Sequence, residues 1–238
     1  MKRLLVPIVA LSAFAAPAMA ADLYTPVEPM PFTWNGFYIG GHAGYGWGEK
    51  DWTLIQNGEG ATDCGRCGTS VTKFDVDGFV GGGQLGFNFQ SDSFVFGGEV
   101  EMSGTGIDGS GSWVAEGQNP GTREAATDIN WLLTVGPRFG FAMDRTLLYA
   151  EGGLAVADED HTHVGASRTY TGGETRTGWF IGGGVEHAFD DNWSARLEYN
   201  YIDMGSDEVT LSASNGNEAI FDIDQELHVI KAGINYGF

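Results

Sequence analysis

The chain has 238 residues, 38 of them glycine, with 12 lysines and arginines against 32 aspartates and glutamates, for a formal charge of −20. That balance excludes a nucleic-acid binder, which needs a basic face, and two cysteines are too few for a disulfide scaffold. A 13% aromatic content argues against a disordered acidic chain, and glycine at this density disfavours helices, which leaves one all-β domain.

Residues 1–20 read as an export signal. Lys2 and Arg3 form the basic start, Leu4 to Ala16 an apolar stretch, and Ala18-Met19-Ala20 the cleavage site. Residues 21–35 carry Pro26, Pro29 and Pro31 without alternation and read as a periplasmic tether. From residue 36 to 238 the chain falls into eight segments of period-two alternation, the signature of strands.

The first segment sets Phe37, Ile39, Ala43, Tyr45 and Trp47 on one face and Tyr38 and His42 on the other. The second, around 79–90, opposes Phe79, Leu85, Phe87 and Phe89 to Gln84, Asn88 and Gln90. The third opposes Phe94, Phe96, Val100 and Met102 to Glu99 and Glu101, and the fourth opposes Ile129, Trp131, Leu133, Val135, Phe139 and Phe141 to Asn130, Thr134 and Arg138. In the fifth, Leu148, Ala150, Leu154 and Val156 face away from Tyr149 and Glu151; in the sixth, Trp179, Ile181, Val185 and Phe189 face away from Glu186. The seventh alternates Trp193, Ala195, Leu197, Tyr199 and Tyr201 with Ser194, Arg196, Glu198 and Asn200. The last alternates His228, Ile230, Ala232, Ile234, Tyr236 and Phe238 with Lys231 and Asn235.

The connections alternate as well. Short turns at 91–93, 142–145 and 190–192 separate long polar stretches near 49–73, 103–127, 157–176 and 203–223, which read as four surface loops. An even strand count with short turns at one rim and long loops at the other is the layout of an outer-membrane barrel. The faces agree, because an oily core cannot hold unpaired carboxylates whereas a polar lumen can. The apolar faces then meet lipid, with Trp34, Trp47, Trp193, Tyr199, Tyr201, Tyr236 and Phe238 in interfacial girdles.

Four stretches carry a family resemblance. They are Trp34-Asn35-Gly36-Phe37-Tyr38-Ile39-Gly40-Gly41, Gly182-Gly183-Gly184-Val185-Glu186, Arg196-Leu197-Glu198-Tyr199-Asn200-Tyr201, and the terminal run from Val229 to Phe238. With these the chain resembles the small porin-like outer-membrane immunogens, a family that includes haemin-binding members and is similar in architecture to OmpA- and OmpX-type barrels. The resemblance implies an eight-stranded antiparallel transmembrane barrel in the outer membrane of a Gram-negative bacterium. It also implies that Phe238, with Tyr236 and Ile234 on its face, is an assembly signal for the outer-membrane insertion machinery. Further partners that follow are outer-membrane lipid and lipopolysaccharide, with haemin or host surface ligands as the receptor alternative.

By phase, Glu99, Glu101, Glu151, Glu186 and Glu198 point inward with Arg138, Arg196 and Lys231. An eight-stranded barrel is only wide enough for its side chains to fill, so these charges read as an ion-pair network; a narrow cation-preferring path is the alternative. Cys64 and Cys67 have a spacing that suits a small disulfide ring in an exported loop, with redox or metal chemistry as alternatives. Asp158-Glu159-Asp160-His161-Thr162-His163 reads as a solvated loop, or else as a metal or haem-iron site. Acids between Asp203 and Asp224, unrelieved by any base, suit a surface sharing divalent cations with lipopolysaccharide, or simple solubility. Ser167 beside His161, His163 and Asp160 has the letters of a triad without its geometry. No enzyme activity, cofactor or metal is expected. The expected role is structural, in the envelope and at the cell surface, with a small porin or an adhesive or haemin receptor as alternatives.

Overall fold

The computed structural model describes residues 32–56, 67–113, 123–165 and 168–238. The signal segment at 1–20 and most of the tether therefore lie outside the described residues. Eight strands close on themselves: β1 (Gly36–Gln56), β2 (Thr69–Ser91), β3 (Phe94–Trp113), β4 (Arg123–Met143), β5 (Thr146–Val164), β6 (Thr169–Ala188), β7 (Trp193–Ala213) and β8 (Glu218–Gly237). Every neighbouring pair is antiparallel, and β1 closes the ring against β8 from Tyr38 opposite Gly237 upward. Closure removes the strand edges that lipid could not satisfy.

The short turns follow the polar residues that initiate them. Asp92 and Asp144 adopt φ of +54° and +56°, the left-handed region that short polar side chains tolerate. In the third turn the Asp190 carboxylate accepts the backbone N–H of Asn192 and Trp193 at 2.8 and 2.7 Å.

The strands are longer than the ~9–11 residues a bilayer crossing needs. Much of each polar stretch read as a loop continues as strand, so Asp158 to His163 lie on β5, and Asp203 and Asp222 lie on β7 and β8. The inward face continues into this extension while its chemistry inverts, re-phased by one residue at bulges in β4 beside Ile129 and in β7 beside Asp203. Ile129, expected to face outward, is therefore buried in the upper core, and Asn130, expected inward, is exposed. In the lower half, side chains such as Phe79, 77% exposed, and Ile181 point outward to lipid. In the upper half, which we term the collar, the outward positions are polar. The inward ones build a core from Trp52, Phe74, Val76, Ile107, Phe221, Ile223 and Leu227. Lower down the sheet borders lipid outside and charge inside; the collar borders water outside and oil inside. These stretches read as loops in the sequence because the apolar face changes from the outward to the inward side there.

A second, smaller cluster closes the periplasmic mouth. Trp34 is buried there against Val95, Ala142, Leu147, Tyr149 and Ala188, with Phe32 packed on its edge. Its N–H bonds to Gln90 Oε1 at 2.8 Å and its indole N–H to the Asp144 carbonyl at 3.3 Å. Trp34 is therefore a stopper rather than a girdle residue. It sits before the first strand, where alternation cannot assign it a face. Trp193, Tyr236 and Phe238 do pack edge to face on the outer surface at this rim, with centroids 5.0 and 5.2 Å apart.

Candidate functional site

The lower lumen is filled by the inward charges. Arg138, from β4, donates to Glu186 Oε2 of β6 at 2.6 Å and lies 3.6 Å above the centre of the Tyr149 ring. Arg196 spans the lumen from β7, bonding both oxygens of Glu99 at 2.7 and 2.8 Å and Glu101 at 2.8 Å. Lys231 pairs with Glu101, and with Glu198 at 2.9 Å. All eight charged residues singled out in the sequence are buried and inward. Glu151 stands apart, with no hydrogen-bond or ion-pair partner among the described residues.

Neutral groups complete the layer. Tyr38 donates to Glu99 at 2.5 Å and Tyr149 to Glu198 at 2.7 Å. A chain of amides runs from His42 through Gln84 and Asn235 to Glu186, with contacts of 2.8, 2.7 and 2.7 Å. Glycine makes room for these side chains: a Cβ at Gly86 would stand 2.2 Å from the Tyr38 ring. A valine there would force the tyrosine off Glu99. Hydrogen bonds and ion pairs are what make so many buried charges tolerable.

A second polar group sits in the collar. The sequence reading placed two of its members, Glu159 and His161, in a solvated loop and did not single out the other two, Lys50 and Arg176, but all four are buried. Lys50 of β1 and Glu159 of β5 form a buried pair at 2.5 Å, flanked by His161 and Arg176. Arg176 donates through Nη2 to the carbonyls of Gly205 and Ile223 at 2.9 and 2.7 Å, filling a gap where the β6–β7 ladder is interrupted between Thr171 and Trp179. The signal was present in the alternation of Glu159, His161 and His163 against Asp158 and Asp160. Only its continuation as strand was missing.

His163 stacks on Trp113 and Tyr170, each at 5.9 Å, and packs against Phe221 at 5.1 Å. Burial in this aromatic setting lowers its pKa to about 4, and burial also lowers that of His161. The sign of the effect is definite. Between about 4 and the unfolded value near 6.5 the unfolded chain binds a proton that the folded collar refuses, so stability falls as pH drops through this window. We expect a loss of roughly 3 kcal/mol attributable to His163, and His163→Phe is expected to flatten the pH dependence of the urea midpoint. An identical slope in that variant would refute the assignment.

The collar's outer surface is acidic. Glu49 faces Glu226, Asp51 faces Asp224, Asp203 faces Glu226 and Glu208 faces Asp222 across neighbouring strands. Lys73 gives Glu49 one exposed partner at 2.5 Å. Like charges directly opposed weaken a sheet, so this surface is costly to keep. Cys67 packs at the edge of the upper core, and Cys64 lies outside the described residues. Ile234 and Phe238 project outward at the periplasmic rim, 52% and 75% exposed, with Tyr236 between them in sequence.

A closed eight-stranded barrel with an apolar outer belt, a charged lumen and short turns at the rim bearing both ends of the sheet defines an integral outer-membrane protein. The comparison with known proteins agrees, and the chain belongs to the outer membrane protein beta-barrel domain family, whose model matches residues 6–238. The 31 kDa outer-membrane immunogenic protein of Brucella melitensis is 32% identical, covering 94% of this chain and 95% of that one. The 22 kDa outer membrane protein of Rhizobium leguminosarum is 27% identical, covering 90% and 82%. Among solved structures, the outer membrane protease OmpT of Escherichia coli superposes with a TM-score of 0.55 at 10% identity, covering 89% of this chain and 99% of that one. That likeness concerns the fold alone.

Proposed function

We propose that this protein is a non-conducting structural barrel that anchors a rigid acidic collar on the cell surface. The observation that carries the reading is the side-chain filling of the lumen at three heights: the Trp34 stopper, the ion-pair layer and the collar core. Ions crossing the layer would have to break pairs made at 2.6–2.9 Å. Outside, opposed carboxylates just above the apolar belt suit divalent cations shared with lipopolysaccharide phosphates. Relatives named as immunogenic proteins are in keeping with a surface-exposed role. The exposed Ile234–Phe238 face suits recognition by the insertion machinery before the barrel closes.

The test is single-channel recording in a planar bilayer after verified insertion. The expected result is a silent bilayer. Stable cation-selective steps that disappear on combining Glu99→Gln with Glu186→Gln would replace this reading with that of a small porin.

A further inference from the structure

The lower lumen carries five carboxylates, Glu99, Glu101, Glu151, Glu186 and Glu198, against three fixed cations, Arg138, Arg196 and Lys231. With His42 counted neutral, two negative charges are unmatched. The imbalance has a location. Glu186 is held by Arg138, Ser194 and Asn235, Glu101 by Lys231 and Arg196, and Glu99 by Arg196 and Tyr38. Glu198 is held by Lys231, Tyr149 and Asn200. Glu151, only 8% exposed, is the carboxylate left over.

One oxygen each from Glu99, Glu151 and Glu198 lies within 4.8 Å of the others. A second, independent group points the same way. Asn200 is 1% exposed; its Nδ2 donates to Glu198 Oε1 at 2.9 Å, and its Oδ1 has no partner among the described residues. That oxygen overlies Gly182, where a Cβ would stand 1.7 Å from it. Gly182 is the cross-strand neighbour of Asn200 on one side and of Glu151 on the other. The orphan amide oxygen therefore leans from β7 toward the orphan carboxylate on β5.

We propose that Glu99, Glu151, Glu198 and the Asn200 side-chain oxygen form a buried site for a single calcium-sized divalent cation. All four donors are hard oxygens, the ligand class that Ca2+ takes at about 2.3–2.6 Å. Oxygens up to 4.8 Å apart can ligate one such ion, whereas Mg2+ at about 2.0–2.1 Å needs a tighter set. Two positive charges neutralise the layer, and the ion supplies the partner that Glu151 and Asn200 lack. Arg196 stays on both oxygens of Glu99 and Lys231 on Oε1 of Glu198, and the ion takes the lone pair that these donors, with Tyr38, Tyr149 and Asn200, leave free on each carboxylate. The ion is structural, a further element of the seal.

The test is retention of metal by the full barrel refolded in detergent with millimolar Ca2+ and gel-filtered into metal-free buffer, which clears rapidly exchanging surface ions. Elemental analysis is expected to find about one Ca2+ per chain, unaltered in Glu208→Gln on the collar surface and lost in Glu151→Gln and in Asn200→Leu. Refolding with Mg2+ alone is expected to leave no retained ion. Tb3+ in place of Ca2+ is expected to emit on tyrosine excitation, because the Tyr149 hydroxyl touches a ligand. Wild-type barrel without retained Ca2+, as a proton on Glu151 would produce, overturns the proposal even if a variant fails to fold. Retention by folded Glu151→Gln equal to wild type overturns it too.

Discussion

Arg196→Ala is expected to lower the stability of the folded barrel by about 3–5 kcal/mol, the cost of removing one partner from a buried ion pair. The guanidinium is the residue through which Glu99 and Glu101 are both satisfied, and it lies 3.4 Å from Glu198 as well. Truncation leaves these carboxylates facing one another in a closed space, with only Lys231 and Arg138 to share. Arg196→Lys is expected to recover part of the loss, since an ammonium lacks the planar fork that reaches Glu99 and Glu101 together. Adding Glu99→Gln to Arg196→Ala is expected to recover more, because one stranded charge disappears and the two residues are directly coupled. The measurement is the urea midpoint of the barrel in detergent, compared at constant slope. A midpoint unchanged in Arg196→Ala would mean that the lumen network contributes nothing to holding the sheet closed.

Trp52→Ala is expected to cost a similar amount, about 3–5 kcal/mol, for a different reason. Its side chain is fully buried at the centre of the collar, with ring centroids 5.2 Å from Phe221, 5.5 Å from His161 and 6.3 Å from Phe74. Removing it opens a cavity in a core that water surrounds, where hydrophobic burial is the main stabilising force. The loss is therefore expected to be local: proteolysis should cut the collar strands of Trp52→Ala while the lipid-bordered half stays protected. Phe79→Ala makes the contrast, since Phe79 projects into lipid and its loss should leave the collar's resistance intact. Uniform protection across both halves of Trp52→Ala would count against a separate collar core.

Period-two alternation places all eight strands and their inward faces in the lipid-bordered half, because lipid and a polar lumen make that pattern unusually clean. In β4 it assigns Ile129 and Asn130 to the wrong faces, since a bulge between Ile129 and Trp131 shifts the phase. It failed where the solvent changes. Above Val229 on β8, the inward side chains Leu227, Ile223 and Phe221 are apolar and the outward Glu226, Asp224 and Asp222 are acidic. A reading tuned to outward apolar residues sees only a polar stretch there. Lys50 and Arg176 are missed for the same reason, and Glu159 and His161, read as part of a solvated loop, are instead buried and inward on β5. Trp34 was misplaced because a residue ahead of the first strand has no cross-strand partner to fix its face. The lumen charges were legible as a set, yet their pairing was not: which carboxylate Arg196 takes, and that Glu151 is left out, depends on barrel diameter and register.

Strands that run on from the embedded half into the collar also set a height. From His228 at the lipid rim to Ala219, β8 rises roughly 20–25 Å at ordinary strand pitch and tilt. The outermost described strand ends are thus carried on a tower of paired strands, clear of the headgroups. A large partner arriving from outside meets the summit before it meets the bilayer. Shortening paired strands symmetrically would lower that contact point step by step, leaving the embedded foundation as it was.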